Sequence, residues 1–243
     1  TWTSTFNAGY NKNIVLEVKN DASLYSANEL ASALREGYST SAIWGFSYAG
    51  VDPQTGSPLY IDNKGSTVPI TQLNRSIANS YIIGDRLPKL QGGFINAFGY
   101  KGISLNILLT YSFGGKDLID YNLEADGNNL TNRNMSVNLL DRWQKPGDIT
   151  NIPKLRQLPV PIVNSTRYLY DASFVKIGNL SLSYTLPTIN KIRDLRTTLF
   201  ANATNLGYWY KQKSPDGRNG YREYRFGAFP EAQTFSWGAR FNF

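Results

Sequence analysis

The stretch ISLNILLTYSF, from Ile103 to Phe113, alternates apolar and polar side chains with a period of two. Successive side chains of a β-strand point to opposite faces, so this period is typical of a strand. One face carries Ile103, Leu105, Ile107, Leu109, Tyr111 and Phe113; the other carries Ser104, Asn106, Leu108, Thr110 and Ser112. The pattern predicts a strand whose two faces meet different surroundings.

Five further segments have a similar pattern, of which the last, TFSWGARFNF, is the most regular. We predict strands near residues 2–12, 90–100, 103–113, 174–186, 195–206 and 233–243. Only Lys101 and Gly102 separate the second strand from the third, which indicates a tight hairpin. Pro187 ends the fourth because proline lacks a backbone donor. Asn96 shares the parity of Phe94 and Phe98, which predicts either a bulge or an interrupted apolar stripe.

The predicted connections differ greatly in length. Residues 101–102 and 187–194 are short, whereas residues 13–89, 114–173 and 207–232 are long. Such long loops are uncommon in compact soluble domains. Outer-membrane barrels, in contrast, combine short periplasmic turns with long extracellular loops. Within the first long loop we expect a small hairpin outside the membrane, formed by residues 42–48 and 58–62 and turning at PQTG.

The contents of the two faces favour a membrane barrel. A soluble β-sandwich also alternates, but here the apolar stripes hold aromatic residues near their ends. Lys176 shares the parity of Leu180, so we place it above the membrane, where a lysine can snorkel. The residues predicted to face lipid are Phe6, Leu105, Ile107, Leu109, Leu182, Tyr184, Phe235, Trp237, Phe241 and Phe243.

The opposite faces are predicted to line the barrel interior. Arg196 and Arg240 have this inward parity, which a hydrated or plugged lumen accepts. Ile95, Leu108 and Phe200 are inward and apolar, which favours packing against an internal plug. Six strands leave open edges that lipid does not tolerate. The rest of the barrel therefore comes from a longer polypeptide, which we favour, or from several chains.

Composition excludes most enzyme classes. The chain has 243 residues, no Cys and no His, which removes zinc sites, thiol nucleophiles and histidine bases. Its net charge of +7 is spread without a compact basic run, so nucleic acid is not an expected partner. No cofactor and no metal are expected, since the spacing of the loop acids does not match a calcium-binding EF-hand. These acids are Asp117, Asp120, Glu124 and Asp126.

Several segments, in this order and spacing, resemble the C-terminal quarter of SusC-like TonB-dependent transporters. They are WTSTFNAGYNKN (2–13), YAGVDPQTGSPLYIDNKG (48–65), IIGDRLPKLQGGFINAFGYKGISLNILLTYSFGGK (82–116), DRWQKPGDITNIPKL (141–155), YLYDASFVKIGNLSLSYTLP (168–187) and the terminal FPEAQTFSWGARFNF. The resemblance implies an all-β fold, the C-terminal segment of a large antiparallel transmembrane barrel over residues 1–243. It also implies that the family's plug and TonB-contacting segment lie in a missing N-terminal part. Residues 202–229 depart from the family pattern.

The resemblance implies import rather than catalysis. A member of this family takes up bulky nutrients, oligosaccharides or peptides, across the bacterial outer membrane with a SusD-like lipoprotein and TonB. The C-terminus would be periplasmic. Aromatic and planar polar loop residues are candidates for contact with substrate or lipoprotein, the alternative being that they only pack the loops. They are Trp143, Tyr208, Trp209, Tyr210, Arg218, Tyr221, Arg222 and Tyr224. The rival hypotheses are a soluble β-sandwich carbohydrate-binding module and a passive porin or adhesin barrel.

Overall fold

The computed structural model describes residues 1–18, 34–76, 79–118, 137–155, 163–187, 195–212 and 232–242. Its strands are β1 (Trp2–Tyr10), β2 (Ala42–Gly45), β3 (Ser47–Val51), β4 (Pro58–Ile61), β5 (Thr67–Pro69), β6 (Tyr81–Asp85), β7 (Leu90–Tyr100), β8 (Ile103–Phe113), β9 (Lys116–Leu118), β10 (Leu169–Asp171), β11 (Phe174–Thr185), β12 (Arg196–Tyr210) and β13 (Thr234–Asn242). Among the described residues, short 3-10 helices span Val137–Asp141 and Thr166–Tyr168.

The six long strands form one antiparallel sheet in the order β1-β7-β8-β11-β12-β13. These are the six strands that the sequence predicts, so the all-β antiparallel prediction is confirmed. They lie side by side in one sheet and not in the two facing sheets of a sandwich. β12 continues through Tyr210 and so takes in residues 207–210, which the sequence assigned to a loop.

Cross-strand pairing sorts the side chains of this sheet onto two faces. Paired residues on neighbouring strands lie on the same face. One apolar row crosses all six strands through Trp2, Phe98, Leu105, Leu182, Ala201 and Trp237. The adjacent row on the other face runs through Thr3, Ala97, Asn106, Ser181, Asn202 and Ser236. We call these two sides the apolar face and the polar face.

Asn96 lies on the apolar face without a bulge. It pairs with Ser4 on β1 and Ile107 on β8 in an uninterrupted register. The Nε1 of Trp2 and the Oγ of Ser4 both donate to Asn96 Oδ1, at 3.2 and 2.6 Å. Of the two alternatives from the sequence, the interrupted stripe is the observed one. The hydrogen bonds reduce the cost of a polar group on this face.

A β-bulge in β11 corrects the expected position of Lys176. The register of β11 against β8 shifts between Ile177 and Asn179, because Gly178 is an extra residue. The shift moves Ile177 onto the apolar face opposite Leu109, and it moves Lys176 onto the polar face opposite Thr110. The lysine therefore does not share a face with Leu180, and the prediction that it does is wrong.

The small sheets lie at the end of the large sheet where β1, β8 and β12 finish. β3, β4 and β5 form a meander, β2 pairs with β6, and β9 pairs with β10. The predicted hairpin between residues 42–48 and 58–62 is only partly observed. The strand that pairs with Pro58–Ile61 is Ser47–Val51, which overlaps the predicted strand at Ser47 and Tyr48, and Ala42–Gly45 pairs with Tyr81–Asp85 instead.

The buried core belongs to these small sheets. It contains Phe46, Tyr60, Ile70, Leu73 and Val163, with Ile43 and Trp44 also buried. Trp44 is 2% exposed, whereas Trp237 on the large sheet is 86% exposed. Trp44 and Phe46 are thus core residues, outside the six-stranded sheet as predicted. The apolar face of the large sheet has no such cover in the described ranges.

Backbone hydrogen bonds connect the segment that contains Val163 to Phe46, which lies between β2 and β3. Phe46 N donates to Asn164 O at 2.9 Å, and Thr166 N donates to Phe46 O at 3.0 Å. This close approach requires glycine at position 45, because a Cβ there would lie 2.4 Å from Asn164 O.

Within the described ranges, no helix has the length and apolar character to cross a membrane.

Candidate functional site

The charges of the six-stranded sheet are all positive and all on the polar face. Its strands contain three charged residues, Lys176, Arg196 and Arg240, and no Asp or Glu. Register places Lys176 opposite Thr110, Arg196 opposite Asn242 and Arg240 opposite Thr198. The polar face therefore has an electropositive character that the apolar face lacks.

Lys176 belongs to a group of aromatic residues on the polar face, next to the small sheets. Phe174 and Lys176 on β11 pair with Tyr210 and Tyr208 on β12. The rings of Tyr208 and Tyr210 stack with centroids 5.3 Å apart, and Phe174 meets Tyr208 edge-on at 5.9 Å. Lys176 Nζ lies 4.7 Å from the centroid of the Tyr208 ring. We call these four residues the aromatic cluster.

Two backbone irregularities put these side chains together. The bulge at Gly178 turns Phe174 and Lys176 onto the polar face. On β12 the register against β11 shifts between Thr204 and Gly207, where Asn205 has a positive φ of 58°. Asparagine tolerates this left-handed conformation better than most residues. Tyr208 and Tyr210 consequently stay on the same face as Asn202.

The four residues of the aromatic cluster are intermediate in exposure, neither fully buried nor fully exposed. Aromatic faces bind sugar rings and peptide side chains, and an ammonium over a ring adds a hydrogen-bond donor for carboxylate or hydroxyl groups. The arrangement can bind ligands with flat surfaces.

Next to the aromatic cluster, the carboxylate of Asp171 contacts residues from several segments of the chain. Its Oδ2 lies 2.9 Å from Lys211 Nζ and 3.3 Å from Lys116 Nζ, and its Oδ1 accepts a hydrogen bond from Ser173 N. Burial of the Asp171 carboxyl acts to raise its pKa, but hydrogen bonds from Ser173, Lys211 and Lys116 outweigh this and hold the pKa well below its ordinary value. The ionised carboxylate therefore joins the ends of β9, β10 and β12.

The predicted contact residues do not form one group. Tyr208 and Tyr210 lie together in the aromatic cluster, but Trp209 lies on the apolar face opposite Val175 and is 59% exposed. All three are strand residues, not loop residues as predicted. Arg218, Tyr221, Arg222, Tyr224 and Phe243 lie outside the described residues.

Trp143 lies in a separate place, against the PQTG turn. Its ring occupies the space where a Cβ of Gly56 would lie, 2.4 Å from Trp143 Cε3. Trp143 Nε1 donates to Pro53 O at 2.9 Å. This tryptophan joins residues 137–155 to the meander.

Sequence reasoning missed Phe174 and placed Lys176 on the wrong face. The signal that was available is Gly178, because an isolated glycine inside a strand often marks a bulge. For metal binding, Asp117 pairs with Arg86 at 3.2 Å, and Asp120, Glu124 and Asp126 lie outside the described residues. Among the described residues no group of three or more His, Cys, Asp or Glu is placed to hold a metal ion.

Comparison with known proteins gives relatives over the whole chain. No family model matches. "TonB-dependent receptor P3" of Formosa agariphila is 25% identical over 280 residues, covering 100% of this chain and 27% of that protein. "TonB-dependent receptor P39" of the same organism is 26% identical, covering 85% of this chain and 24% of that protein.

Solved structures match as well. The RagAB peptide transporter is 23% identical with a TM-score of 0.78, covering 98% of this chain and 27% of that one. The RagAB peptide importer in its "closed-closed" state is 25% identical with a TM-score of 0.76 and the same coverage. The chain is therefore similar in sequence to part of two TonB-dependent receptors, and its fold is similar to the matching part of the RagAB transporter. It spans about a quarter of the length of the curated relatives, which are receptors and not enzymes.

Proposed function

We propose that this chain forms part of the wall of an outer-membrane importer of bulky nutrients. The observation that carries the proposal is the contrast between the two faces of the six-stranded sheet. The apolar face has no charged residue, and each of its residues Trp2, Phe6, Phe235 and Trp237 is at least 66% exposed. A water-soluble domain rarely leaves so large an apolar surface open, whereas lipid covers such a surface in a barrel.

The contrast between the two faces decides which face meets lipid, and the lengths of the connecting segments decide which end of the sheet is extracellular. Lipid contacts the apolar face, and the polar face lines the interior. The end that bears the small sheets lies outside the cell, because long segments of outer-membrane barrels are extracellular. The tight turn at Lys101 and Gly102 then lies in the periplasm, together with the end of β13.

The cargo that fits the aromatic cluster is an oligosaccharide or a peptide. Tyr208 and Tyr210 offer stacked rings with centroids 5.3 Å apart, and the ammonium of Lys176 lies over the Tyr208 ring, 4.7 Å from its centroid. The RagAB structures are those of a peptide transporter, which favours peptides as the first cargo to test. A SusD-like lipoprotein is the proposed extracellular partner, and TonB would act on the remainder of the polypeptide.

Binding by the complete transporter tests this proposal. The probes are a tryptic digest of casein and a dextran hydrolysate, each applied to detergent-purified protein with bound compounds identified by mass spectrometry. We expect Tyr208→Ala with Tyr210→Ala to lower retention of one probe about tenfold or more, since each lost stacking contact is worth about 1 kcal/mol.

Trp209→Ala is the matched control, because Trp209 lies between the two tyrosines but on the other face. It should leave retention unchanged. Equal losses in the control and the double variant would show that the loss is structural. Retention of both probes by the double variant at the unmodified level would contradict the assignment of the cluster to cargo.

A further inference from the structure

The turn between β7 and β8 contains a lysine in an uncommon backbone conformation. Lys101 and Gly102 both have a positive φ, 46° and 85°, the combination that a type I′ turn of a two-residue hairpin requires. Asparagine, aspartate or glycine usually occupies the first of these positions, because most other side chains strain a left-handed backbone. Thr185 N donates to Gly102 O at 2.8 Å. This hydrogen bond fixes the turn, and with it the lysine, against the end of β11.

Lys101 lies beside a row of residues that forms the border of the apolar face. Tyr100 pairs with Ile103, and Ile103 pairs with Tyr184, so the row crosses β7, β8 and β11. Lys101 Nζ lies 5.3 Å from the centroid of the Tyr100 ring, and Tyr100 is 68% exposed. Tyr184 is 37% exposed. The row therefore brings an ammonium and two phenol groups to one border of the sheet.

This border can bind an anion. Within the described residues, the ammonium of Lys101 has no ion pair, and the hydroxyls of Tyr100 and Tyr184 have no hydrogen-bond partner. All three groups can donate hydrogen bonds. The described residues at this end of the sheet contain the cations Lys101, Arg196 and Arg240 and no Asp or Glu; they are residues 99–104, 183–187, 195–198 and 239–242. The local excess of positive charge attracts negative charge.

The apolar side chains beside this border favour a ligand that also has a hydrocarbon part. The next row of the apolar face contains Phe98, Leu105 and Leu182. Phe98 is 40% exposed, Leu182 is 47% exposed, and Ile103 in the border row is 44% exposed. A free inorganic anion does not cover these side chains, whereas hydrocarbon does so favourably. A molecule with an anionic head and an apolar tail matches both rows.

We propose that Lys101, Tyr100 and Tyr184 bind the headgroup of an anionic phospholipid in the periplasmic leaflet of the membrane. The ammonium attracts the phosphate, the phenol hydroxyls donate hydrogen bonds to headgroup oxygens, and the acyl chains cover Phe98 and Leu182. Aromatic girdles are general to outer-membrane barrels, but this site adds a preference for negatively charged lipid. The proposal rests on the proposed function, since it needs lipid on the apolar face and the β7–β8 turn in the periplasm.

Native mass spectrometry of the complete protein tests the proposal. The detergent-purified protein is mixed with dioleoylphosphatidylglycerol, and the lipid that stays bound after the detergent is removed in the gas phase is counted. The variant is Lys101→Asn, because asparagine suits the left-handed turn position and so keeps the hairpin while removing the charge. We expect retention to fall about fivefold, the usual effect of one lysine beside anionic lipid. Tyr100→Phe with Tyr184→Phe should also lower retention, because it removes only the two hydroxyls.

Lys12→Asn is the matched control. Lys12 is exposed, lies two residues beyond Tyr10 with the parity of the apolar face, and belongs to the opposite end of the sheet. Both lysine variants lose one positive charge, so a general electrostatic effect would be equal in the two. We expect Lys12→Asn to retain as much lipid as the unmodified protein. Unchanged retention in Lys101→Asn, or a loss in Lys12→Asn that is as large or larger, would overturn the inference.

A zwitterionic lipid separates this inference from the proposed function. Dioleoylphosphatidylcholine has no net charge, so the unmodified protein should retain it less well than dioleoylphosphatidylglycerol. Equal retention of the two lipids by a protein that inserts into vesicles would reject the headgroup site alone. Failure to retain either lipid, together with failure to insert into vesicles, would reject the proposed membrane location and the site with it.

Discussion

The hydroxyl of Tyr111 on β8 donates a 2.7 Å hydrogen bond to the backbone carbonyl of Asn7 on β1, two strands away. The tyrosine crosses β7 at Gly92, which pairs with both Ala8 and Tyr111. A Cβ at position 92 would lie 2.5 Å from the Tyr111 hydroxyl and 2.1 Å from Asn7 O. Glycine at this position therefore lets one side chain join three strands.

Gly92→Ala should destabilise the protein by about 1–3 kcal/mol, the usual cost of overpacking. Backbone and a bonded hydroxyl both occupy the space, so neither yields easily. Urea unfolding of the complete protein in lipid vesicles measures the effect. Gly93→Ala is the control, because its Cβ would meet nothing closer than 3.5 Å. A larger loss at 93 than at 92 would contradict the role of the Tyr111 bridge.

Ile107→Arg and Asn106→Arg compare the two faces at neighbouring positions. Ile107 lies on the apolar face opposite Leu180, and Asn106 lies on the polar face opposite Ser181. Arginine facing lipid near the middle of a bilayer costs about 2–4 kcal/mol. We expect this loss for Ile107→Arg and a much smaller one for Asn106→Arg, measured as folding into vesicles. A greater loss at 106 would show that the proposed inside and outside are reversed.

Asp171→Asn should weaken the junction between β9, β10 and β12. The side chain is 7% exposed and joins two ammonium groups, and charged hydrogen bonds of this kind contribute about 1.5–3 kcal/mol. Hydrogen exchange of residues 169–173 at pH 7 measures the local loss. Asp117→Asn is the control, since its more exposed ion pair with Arg86 is worth less than about 1 kcal/mol.

The effect of Asp171 also depends on pH in a defined direction. The folded protein lowers the pKa of this carboxyl, so the unfolded chain binds the proton more readily. Its contribution to stability is complete above the ordinary pKa of about 3.9 and is lost as the pH falls below that value. The difference between Asp171→Asn and the unmodified protein should shrink between pH 5 and pH 2.5. A difference that grows on acidification would contradict this assignment.

The strands could be predicted because their side chains alternate regularly. Which face each residue occupies could not be predicted where this alternation is interrupted. In β8 every residue from Ile103 to Phe113 except Leu108 follows the apolar and polar alternation with a period of two, and the strand's bounds and faces agree with the sequence. In β11 the alternation is interrupted at Gly178, and sequence parity therefore assigned Lys176 to the wrong face. A one-residue change in register reverses the face of every residue beyond it.

Long-range pairing was also beyond the sequence pattern. The sequence predicts residues 42–48 as the first strand of a hairpin that turns at PQTG. The structure instead pairs Ala42–Gly45, the first part of that segment, with Tyr81–Asp85, where Trp44 becomes buried. Burial of a tryptophan outweighs the advantage of a short connection. For the same reason, the sequence could not predict that Phe174 on β11 lies beside Tyr208 and Tyr210 on β12.

Single cysteines carrying a polarity-sensitive fluorophore test the bulge at Gly178. This chain has no native cysteine, so labels at positions 175, 176, 177, 179 and 180 report each site separately in vesicles. We expect apolar readings at Val175, Ile177 and Leu180 and polar readings at Lys176 and Asn179, because the register shift puts Ile177 and Leu180 on one face although their numbers differ in parity.

Labels at positions 107 to 110 of β8 provide the matched control, because this stretch pairs with β7 in an uninterrupted register. They should alternate between apolar and polar readings at every step. Strict alternation through β11 as well, with position 176 reading like position 180, would remove the bulge. It would also place Lys176 on the opposite face from Tyr208, so the four residues of the aromatic cluster would not lie together on the polar face.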